Sequence, residues 1–272
     1  MEIITSTQNE WITEARKLKQ KKYREISGYF LAEGLRLCEE AMKAAVVREV
    51  YYHESLADTP RGSALLQALA TLTSRFFKVS VKVMDTLAET NTPQGIVCVC
   101  KRNQDALKLF QPLSGPVVVA DGIQDPGNLG TILRTIWAAG GKGLVCLRGT
   151  TDPYNGKCIR ASMGGVFHVP VFPDCEWQTV ARWALERSYH VVATDAAHGK
   201  DYRRILWPDN TLLCIGSEAA GLTSIPLQEA AECVSIPLAQ SAESLNAAVA
   251  AGILLFAMNR NPQESGSSPN VL

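Results

Sequence analysis

Three segments of the chain place polar residues where a strand or a helix is predicted to begin or end. The first, residues 121–140, follows an apolar strand and leads into a helix with one apolar face. The Asp-Pro-Gly sequence at 125–127 is typical of a helix start. Asn128 therefore lies near a helix N-terminus, and Arg134 lies on the flank of the apolar face. An amide and a guanidinium so placed can bind a polar ligand, although helix capping and solvation also explain them.

The second segment, residues 212–223, is an apolar strand that runs into two glycines with an acidic residue between them. Gly216 and Gly221 allow a close approach of the backbone to a ligand or a positive φ angle, and Glu218 supplies a carboxylate. The pattern is neither the dinucleotide fingerprint G-x-G-x-x-G nor a Walker A loop. From its residues alone, this segment is as compatible with an ordinary turn as with a ligand site.

The third segment, residues 233–260, is a short strand followed by a long apolar helix. Ser244 is a natural N-cap for a helix that begins at Leu245. The helix is apolar on nearly every side as far as Asn259, so we expect it to be buried. Asn246 in its first turn is then a buried amide, and it needs hydrogen-bonding partners that capping by Ser244 does not explain.

Five apolar strands must position these polar residues. The runs are PVVVA, GLVCL, HVVA, TLLCI and CVSI, and each ends in small or polar residues. Because the runs are continuous rather than alternating, both faces of each strand should be buried, as in a largely parallel sheet covered by helices. Ligands of such sheets bind beyond the carboxyl ends of the strands. We therefore predict an α/β fold whose site lies at this edge, beside Asp121, Arg148, Thr194, Gly216 and Pro237.

The front of the chain predicts a second, smaller α/β unit. Its elements are a helix near residues 8–20 and then short strands and helices at GYFLAEG, LRLCEEAMKAA, VREVYYH, SALLQALATL, RFFKVS and GIVCVCK. The stretch 102–114 loses strand character and ends among proline, serine and glycine, which is typical of a linker. The predicted organisation is a first domain over 1–101, this linker, a second domain over 115–260 and a flexible tail over 261–272.

The composition excludes several classes of protein. Of 272 residues, 46% are hydrophobic and 20% are charged, which is unlike a disordered chain. The 27 basic and 27 acidic residues cancel, so bulk charge cannot steer the protein to nucleic acid, although a local basic patch can. The sequence shows neither a transmembrane run nor the layout of a secretory signal. We expect a soluble, cytoplasmic protein without membrane contacts.

The eight cysteines are predicted to be packing residues. They include no C-x-x-C pair, and none of the four histidines lies at zinc-finger spacing from them. Cys98 and Cys100 alternate with valines as on one face of a strand, and most of the others lie in apolar runs. We therefore expect a reducing compartment and no metal site.

In order and spacing, the three polar segments resemble the motifs of the SpoU (TrmH-type) RNA 2′-O-ribose methyltransferases of the SPOUT superfamily. The motifs as they stand here are Asn128-Leu-Gly-Thr-Ile-Leu-Arg134, Gly216-Ser-Glu218-Ala-Ala-Gly221, and Ile236-Pro with Ser244-Leu245-Asn246. The resemblance covers residues 115–260, and YFLAEGLRLCEEAMKA in front looks like the L30e-like RNA-binding domain of many members. It implies S-adenosylmethionine as cofactor, a homodimer, and a sheet whose C-terminal part is threaded as a deep trefoil knot.

The resemblance also implies how the cofactor and the ribose are handled. The adenosine pocket uses the backbone at Gly216, Ile236 and Leu245, with the Thr194 turn nearby. Arg134 activates the ribose hydroxyl. Since an arginine is effectively always protonated, we interpret Arg134 as a clamp on the neighbouring phosphate that stabilises the developing alkoxide. Proton removal then falls to that phosphate or to water.

Four further polar residues complete the catalytic set. In this interpretation Asn128 and Asn246 position the substrate, and Glu218 orients Arg134 or its neighbours. Ser244 caps the helix and contacts the substrate or the donor. Such positioning matters because a ribose hydroxyl is a poor nucleophile near neutral pH.

A basic run in the first domain predicts the contact with RNA. Six of the nine residues 16–24 are basic and none is acidic: Arg16, Lys17, Lys19, Lys21, Lys22 and Arg24. Such a run explains how a chain without net charge binds a polyanion, although a solvated helix face shows the same pattern. Tyr23 and Tyr29 can stack on unpaired bases. Arg160 in the second domain is also predicted to face the RNA.

Three alternatives accompany this hypothesis. The added L30e-like domain favours ribosomal RNA as the substrate, and transfer RNA is the alternative. A non-catalytic RNA-binding or ribosome assembly factor of the same fold is disfavoured by the complete polar set. A Rossmann-type dehydrogenase needs a glycine-rich fingerprint after its first strand, which DGIQDPGNLG does not supply.

Overall fold

A computed structural model describes residues 3–103, 106–239 and 244–258, and its first unit is built on a four-stranded sheet. The elements are α1 (Glu10–Lys17), α2 (Lys21–Ser27), β1 (Tyr29–Glu33), α3 (Leu35–Lys43), β2 (Val47–Tyr52), α4 (Pro60–Leu72), β3 (Phe76–Lys78), α5 (Val81–Leu87) and β4 (Ile96–Lys101). The strand order is β1-β4-β2-β3. β4 is antiparallel to both of its neighbours, and β3 is parallel to β2. The smaller α/β unit predicted from the sequence is confirmed.

Helices cover both faces of this sheet because β4 is apolar on both sides. Val97 and Val99 belong to the core formed with α1 and α5, whereas Ile96, Cys98 and Cys100 belong to the core formed with α3 and α4. The alternation of valine and cysteine in β4 therefore matches two different buried faces. The cysteines on this strand are packing residues, as predicted.

Two helical elements of the first unit differ from the prediction. The single helix expected over 8–20 is broken, because α1 ends at Lys17 and α2 begins at Lys21. The N–H groups of the three residues between them bond to carbonyls three positions earlier, which is a tighter turn than the α-helix. Helix α5 is absent from the prediction, which assigns no element between RFFKVS and GIVCVCK. Its start is set by the Ser80 hydroxyl, which accepts the Val83 N–H.

The second unit is built on a seven-stranded parallel sheet. Its elements are β5 (Val117–Asp121), α6 (Pro126–Ala138), β6 (Gly143–Leu147), α7 (Gly156–Ser162), α8 (Gly165–His168), β7 (Val171–Cys175), α9 (Trp177–Glu186), β8 (His190–Thr194), β9 (Lys200–Asp201), β10 (Thr211–Gly216), β11 (Glu232–Ser235) and α10 (Ala247–Met258). The strand order is β7-β6-β5-β10-β8-β11-β9, and each pair is parallel. Five of these strands are the predicted apolar runs, and the predicted parallel sheet is confirmed.

The two strands absent from the prediction lie at the edges of the sheet. β7 contains Pro173, and only its first two residues are buried. β9 is two residues long and neither residue is buried. An edge strand pairs on one side only, so it tolerates proline and polar residues and does not produce a continuous apolar run.

Aromatic and ionic contacts join the two units. The ring centroid of Phe30 on β1 lies 5.1 Å from that of Tyr154 and 5.8 Å from that of Phe167. Arg24 on α2 pairs with Asp152 at 2.5 Å. Buried residues of both sheets form one continuous core.

The predicted linker packs against the second unit where the structure describes it. Residues 104–105 lie outside the described residues. Leu107 is buried, and the ring of Phe110 lies 4.8 Å from that of Phe172 and 5.8 Å from that of Trp183, between centroids. The described part of this connection therefore packs against the second unit before β5 begins.

Several predictions concern residues outside those described. The predicted tail, 261–272, lies there entirely. Residues 240–243 lie there too, and they belong to the connection from β11 to α10, so the predicted knot stays a prediction, as do the domain boundaries. Within the described part of the chain, no helix is long and apolar enough to span a membrane.

Candidate active site

The N-terminus of α6 brings Asn128 to the carboxyl edge of the parallel sheet. Asp125 is the N-cap: its carboxylate accepts the Asn128 N–H at 2.9 Å, and Pro126 occupies the first turn. Lys157 Nζ lies 2.6 Å from the other carboxylate oxygen. The Lys157 ammonium and then the Asn128 N–H hold the pKa of Asp125 below its ordinary value. Local capping, as the Asp-Pro-Gly sequence predicts, therefore sets the position of Asn128.

The Glu218 carboxylate joins all three polar segments. Its Oε1 accepts hydrogen bonds from Asn128 Nδ2 at 2.7 Å, from the Ala247 N–H at 3.0 Å and from Asn246 Nδ2 at 3.3 Å. Asn246 Nδ2 also donates to Asn128 Oδ1 at 2.9 Å. We call Asn128, Glu218 and Asn246 the amide–carboxylate cluster. It unites three of the five residues predicted to be catalytic.

Asn246, and not Ser244, is the N-cap of α10. Asn246 Oδ1 accepts the N–H groups of the second and third helical residues at 3.0 and 3.2 Å, and the helix begins at Ala247 rather than Leu245. The prediction that Ser244 caps this helix is wrong. Serine and asparagine are similarly good caps by residue type. Glu218 accepts the Ala247 N–H from across the site and so bonds a further N–H of the first helical turn.

The expected burial of α10 on every side is wrong for one face. Leu254 and Leu255 are buried, but the side chains of Val249 and Phe256 are half exposed, at 50% and 53%. Thr135 of α6 contacts α10 near Gly252. The two helices thus pack side by side and leave an apolar face open.

A cleft of about 250 Å³, the donor cleft, lies beside the cluster at the carboxyl ends of β8, β10 and β11. Its lining includes all four residues predicted to bind the cofactor, and two of the predicted catalytic residues: Thr194, Gly216, Ile236, Leu245, Glu218 and Ser244. Its walls are largely apolar and include Ile215, Val234 and Leu254. The donor cleft is therefore at the sheet edge that the strand pattern predicts.

The residues of the donor cleft fit S-adenosylmethionine. Apolar walls suit a flat purine, and backbone groups at the ends of three strands can bond its polar edge and the ribose. The Thr194 hydroxyl is already used, since it donates to the Cys214 carbonyl at 3.0 Å. The Glu218 carboxylate at the rim suits a positively charged sulfonium.

The turn after β10 explains the two glycines of the second segment. Ser217 and Gly221 exchange backbone hydrogen bonds at 3.1 and 2.9 Å. A Cβ added to Gly216 would lie 2.1 Å from the carbonyl carbon of Gly221, and Gly221 itself has φ +64°. Both glycines are therefore required by the fold of this turn, whether or not a ligand also approaches it.

Asp121 lies at the strand end where the sequence predicts the site, although no role is assigned to it there, and it holds the segment that follows the same turn. Its fully buried carboxylate accepts the N–H groups of Thr223 and Ser224, both at 2.7 Å, and both of their hydroxyls, at 3.3 and 2.8 Å. Four hydrogen bonds explain how a carboxylate is buried at the end of β5. The sequence shows an acid at a strand end, but its partners lie about a hundred positions away.

Arg134 lies apart from the amide–carboxylate cluster of its own chain. It follows Asn128 by six positions on α6, which is about 9 Å along the axis and about 240° around it. Its side chain is exposed and makes no hydrogen bond or ion pair within the described residues. Within the described chain Glu218 bonds Asn128 rather than Arg134, and the prediction that Glu218 orients Arg134 or its neighbours stays a prediction.

Two of the residues predicted to bind RNA are held by the protein itself. Arg24 is only 5% exposed, and its guanidinium donates to Asp152 and to two backbone carbonyls of the preceding turn. Arg24 is therefore corrected to a residue of the junction between the units. Arg160 pairs with Glu89 at 3.0 Å across the same junction.

The rest of the basic run is exposed to different degrees. Lys17 and Lys21 each pair with a glutamate on their own helix, and Lys19 donates to a backbone carbonyl. Within the described chain, Arg16 and Lys22 make no side-chain hydrogen bond or ion pair. Of these, Lys22 is exposed and Arg16 is partly buried, so Lys22 presents its charge most openly.

Residues 3–103, 106–239 and 244–258 contain no group of side chains that could bind a metal ion. No three His, Cys, Asp or Glu side chains there are arranged to hold an ion. Burial raises the pKa of the Cys100 and Cys146 thiols well above their ordinary value. These thiols stay protonated and act as small apolar side chains.

The fold and the site define an α/β protein with a ligand cleft and a polar cluster at the carboxyl edge of a parallel sheet. Residues 115–256 match the model of the SpoU rRNA Methylase family, and residues 9–98 match the MRM3-like substrate binding domain. The chain belongs to the SpoU rRNA methylase family.

Similar proteins span nearly the whole chain. The 23S rRNA (guanosine(2553)-2′-O)-methyltransferase RlmP of Bacillus subtilis is 34% identical over 94% of this chain and 98% of its own length. The AdoMet-bound rRNA methyltransferase of Sinorhizobium meliloti is 33% identical, with TM-score 0.84, over 95% of this chain and 97% of that one. The SpoU methyltransferase AviRb of Streptomyces viridochromogenes, in complex with AdoMet, is 28% identical, with TM-score 0.84, over 93% and 98%. The similarity therefore covers both units.

Proposed function

We propose that this protein transfers the methyl group of S-adenosylmethionine to a ribose 2′-hydroxyl of ribosomal RNA. The observation that carries the proposal is the amide–carboxylate cluster at the rim of the donor cleft, where three distant segments meet. The relative from Bacillus subtilis is named as a 23S rRNA 2′-O-methyltransferase, and two similar structures hold AdoMet. We place the activity in the cytoplasm.

The donor cleft binds the cofactor through residues of three strand ends. S-adenosylmethionine supplies an activated methyl group when bound. The backbone at Gly216, Ile236 and Leu245 holds the adenosine, and the Thr194 turn closes one side. Glu218 complements the positive charge of the donor while its Oε1 keeps the two amides in place.

Asn128 is the member of the cluster that contacts the ribose. Asn246 uses both Nδ2 hydrogens, on Asn128 and Glu218, and its Oδ1 caps α10. Asn128 uses its Oδ1 and one Nδ2 hydrogen, so within the described residues one Nδ2 hydrogen is left for the substrate. Asn246 is therefore a positioning residue, and the Ser244 hydroxyl at the cleft is a second contact for substrate or donor.

Arg134 acts on the active site of a second subunit. Its side chain is exposed on α6, the helix that packs against α10, and α10 carries the half-exposed Val249 and Phe256. A homodimer that covers this apolar face places Arg134 in the interface, whereas within one chain the residue points away from the cluster. There it clamps the phosphate next to the reacting ribose and stabilises the developing alkoxide. The proton leaves to that phosphate or to water.

Methyl transfer from tritiated S-adenosylmethionine to total RNA tests this function. The RNA comes from cells that lack the gene, so that the acceptor is unmethylated, and the product is mapped with nucleases. We expect label on a ribose 2′-oxygen of ribosomal RNA. Label in transfer RNA would replace the substrate, and label on a base would overturn the reaction.

A second arm separates a missing substrate form from a missing activity. Protein-free ribosomal RNA and intact ribosomal subunits are offered in parallel, with the Asn128→Ala variant as the blank. Tight RNA binding without transfer to either form would favour the non-catalytic assembly factor.

A further inference from the structure

A second cleft, of about 790 Å³, lies at the junction of the two units. We propose that this interdomain cleft binds phosphates of the RNA substrate at a distance from the reacting ribose. The inference rests on the proposed function and adds to it a binding site that the basic run does not provide.

The lining of the interdomain cleft is positively charged. It contains Arg48, Lys101 and Arg102 together with His168, and none of the described lining residues carries a carboxylate. Glu49 lies 3.4 Å from Arg48 and Glu40 lies 2.7 Å from His168, so within the described residues the uncompensated charge of this lining comes from Lys101 and Arg102. A cleft of this kind attracts the polyanionic backbone of RNA.

Two of these cations have binding capacity to spare. Lys101 is exposed and makes no side-chain hydrogen bond or ion pair within the described residues. The Nε of Arg102 is buried without a hydrogen-bonding partner in the same residues. An unpaired buried N–H is costly, and an acceptor such as a phosphate oxygen would satisfy it.

The third cation is held in place. The guanidinium of Arg48 lies 4.3 Å from the ring centroid of Tyr29, and its Nε lies 3.4 Å from Glu49 Oε1. The planar group is thus fixed at the wall of the cleft, and an arginine so fixed loses little freedom on binding a phosphate. Tyr29, one of the two tyrosines predicted to stack on bases, lines the same cleft.

Among the described residues, the interdomain cleft and the donor cleft have no lining residue in common. Val169 and Pro170 line the interdomain cleft immediately before β7 begins, whereas the donor cleft lies beyond the carboxyl ends of β8, β10 and β11. The five residues of β7 span about 16 Å. A phosphate bound here therefore belongs to a nucleotide several positions from the methylated one, and it contributes to affinity rather than to the chemical step.

Substitution of Lys101 tests the proposal. Lys101→Ala removes one exposed cation, so the fold should be unchanged, and Lys101→Arg keeps the charge. The matched control is Lys82→Ala, on α5, which removes a lysine that is also exposed but does not line the cleft. Binding of a labelled single-stranded RNA is measured by filter binding from about 0.05 to about 0.3 M salt, which brackets physiological ionic strength.

We expect Lys101→Ala to weaken RNA binding about fivefold near 0.1 M salt and to lower the slope of log affinity against log salt by about 0.7. Lys101→Arg restores both, and Lys82→Ala changes neither. In methyl transfer, KM for RNA rises and kcat at saturating RNA is unchanged. Equal losses in Lys101→Ala and Lys82→Ala, or a fall in kcat alone, would overturn the proposal.

Two further results distinguish a failure of this inference from a failure of the proposed function. Absence of methyl transfer by the wild-type protein would remove the proposed function, while Lys101-dependent RNA binding would still establish the cleft. The cleft would be assigned to a small ligand instead if inorganic phosphate or a free mononucleotide binds in a one-to-one ratio. That binding would have to require Lys101 and leave RNA binding unchanged.

Discussion

Asn128 Nδ2 and Glu218 Oε1 lie 2.7 Å apart, although 90 positions separate the two residues in the chain. This hydrogen bond ties the first turn of α6 to the turn after β10. The Asn128 amide has one N–H left for a substrate, and the carboxylate determines where that N–H points. Glu218 thus orients the group that we propose to contact the ribose.

Replacement of Glu218 should therefore affect activity more than stability. Glu218→Ala removes the acceptor of three hydrogen bonds, but the site is exposed, so we expect the free energy of unfolding to fall by only about 1 kcal/mol. Methyl transfer should fall at least about tenfold, the loss that corresponds to roughly 1.4 kcal/mol in the transition state. Urea unfolding and initial rates measure the two effects.

Two comparisons make this prediction specific. Glu218→Gln keeps an oxygen acceptor for the same N–H groups but loses the charge, so its kcat should recover while KM for the donor stays raised. Glu186→Ala on α9 removes an exposed glutamate far from the site and should change nothing. Equal kcat for Glu218→Ala and wild type would contradict the role of the cluster.

Asp121 is expected to position the donor cleft without touching its ligand. Asp121→Ala leaves the buried N–H groups of Thr223 and Ser224 without an acceptor, which should cost about 2–4 kcal/mol of stability. The turn at 217–221 then loses its anchor, so Kd for S-adenosylmethionine should rise more than tenfold, about 1.4 kcal/mol. Calorimetric titration measures it.

A second variant in the same strand separates positioning from general destabilisation. Val119→Ala removes buried apolar atoms of β5, which costs comparable stability, but it leaves the hydrogen bonds of Asp121 intact. We expect its donor affinity to stay near that of the wild type. A similar loss of donor affinity in both variants would mean that Asp121 acts only through the stability of the sheet.

The sequence predicts the strands of the second unit well because continuous apolar runs mark strands buried on both faces. It does not predict their order. β5 lies between β6, the next strand in the chain, and β10, which is far from it in the chain. An apolar run does not show which strands will be its neighbours in the sheet. The three motif segments predict a shared edge, but the bonds of Glu218 and Asp121 depend on that order.

Basic residues of the run at 16–24 have different roles, which their residue types alone do not predict. Arg24 and Lys22 are two positions apart, and composition treats them alike. Arg24 points inward to Asp152, whereas Lys22 is exposed. Both residues lie on α2, where two positions are about 200° apart around the axis, so their side chains point to opposite faces of one helix.

Arg24 should therefore matter for stability and Lys22 for RNA binding. Arg24→Ala leaves Asp152 as an uncompensated, nearly buried charge, so we expect a loss of about 3–5 kcal/mol in the free energy of unfolding. Lys22→Ala should change stability by less than about 0.5 kcal/mol and should weaken RNA binding. The double variant Arg24→Met, Asp152→Leu replaces the pair with apolar side chains and should recover much of the loss. An Arg24→Ala protein of normal stability would return Arg24 to the RNA-binding residues.

Mixed dimers decide whether Arg134 serves its own chain or its partner. Arg134→Ala and Asn128→Ala proteins should each be inactive alone. The two variants are mixed one to one, unfolded and refolded together, so that half of the dimers contain one subunit of each variant. If Arg134 reaches across the dimer, each of these mixed dimers has one complete site. We then expect about a quarter of the wild-type activity. If Arg134 serves its own chain, no subunit of the mixture is complete, and activity stays at the level of the separate variants.

Refolding each variant alone is the control, and size-exclusion chromatography verifies the dimer. A monomeric wild-type protein that transfers methyl groups would contradict the shared site, because Val249 and Phe256 would then remain uncovered in the active enzyme.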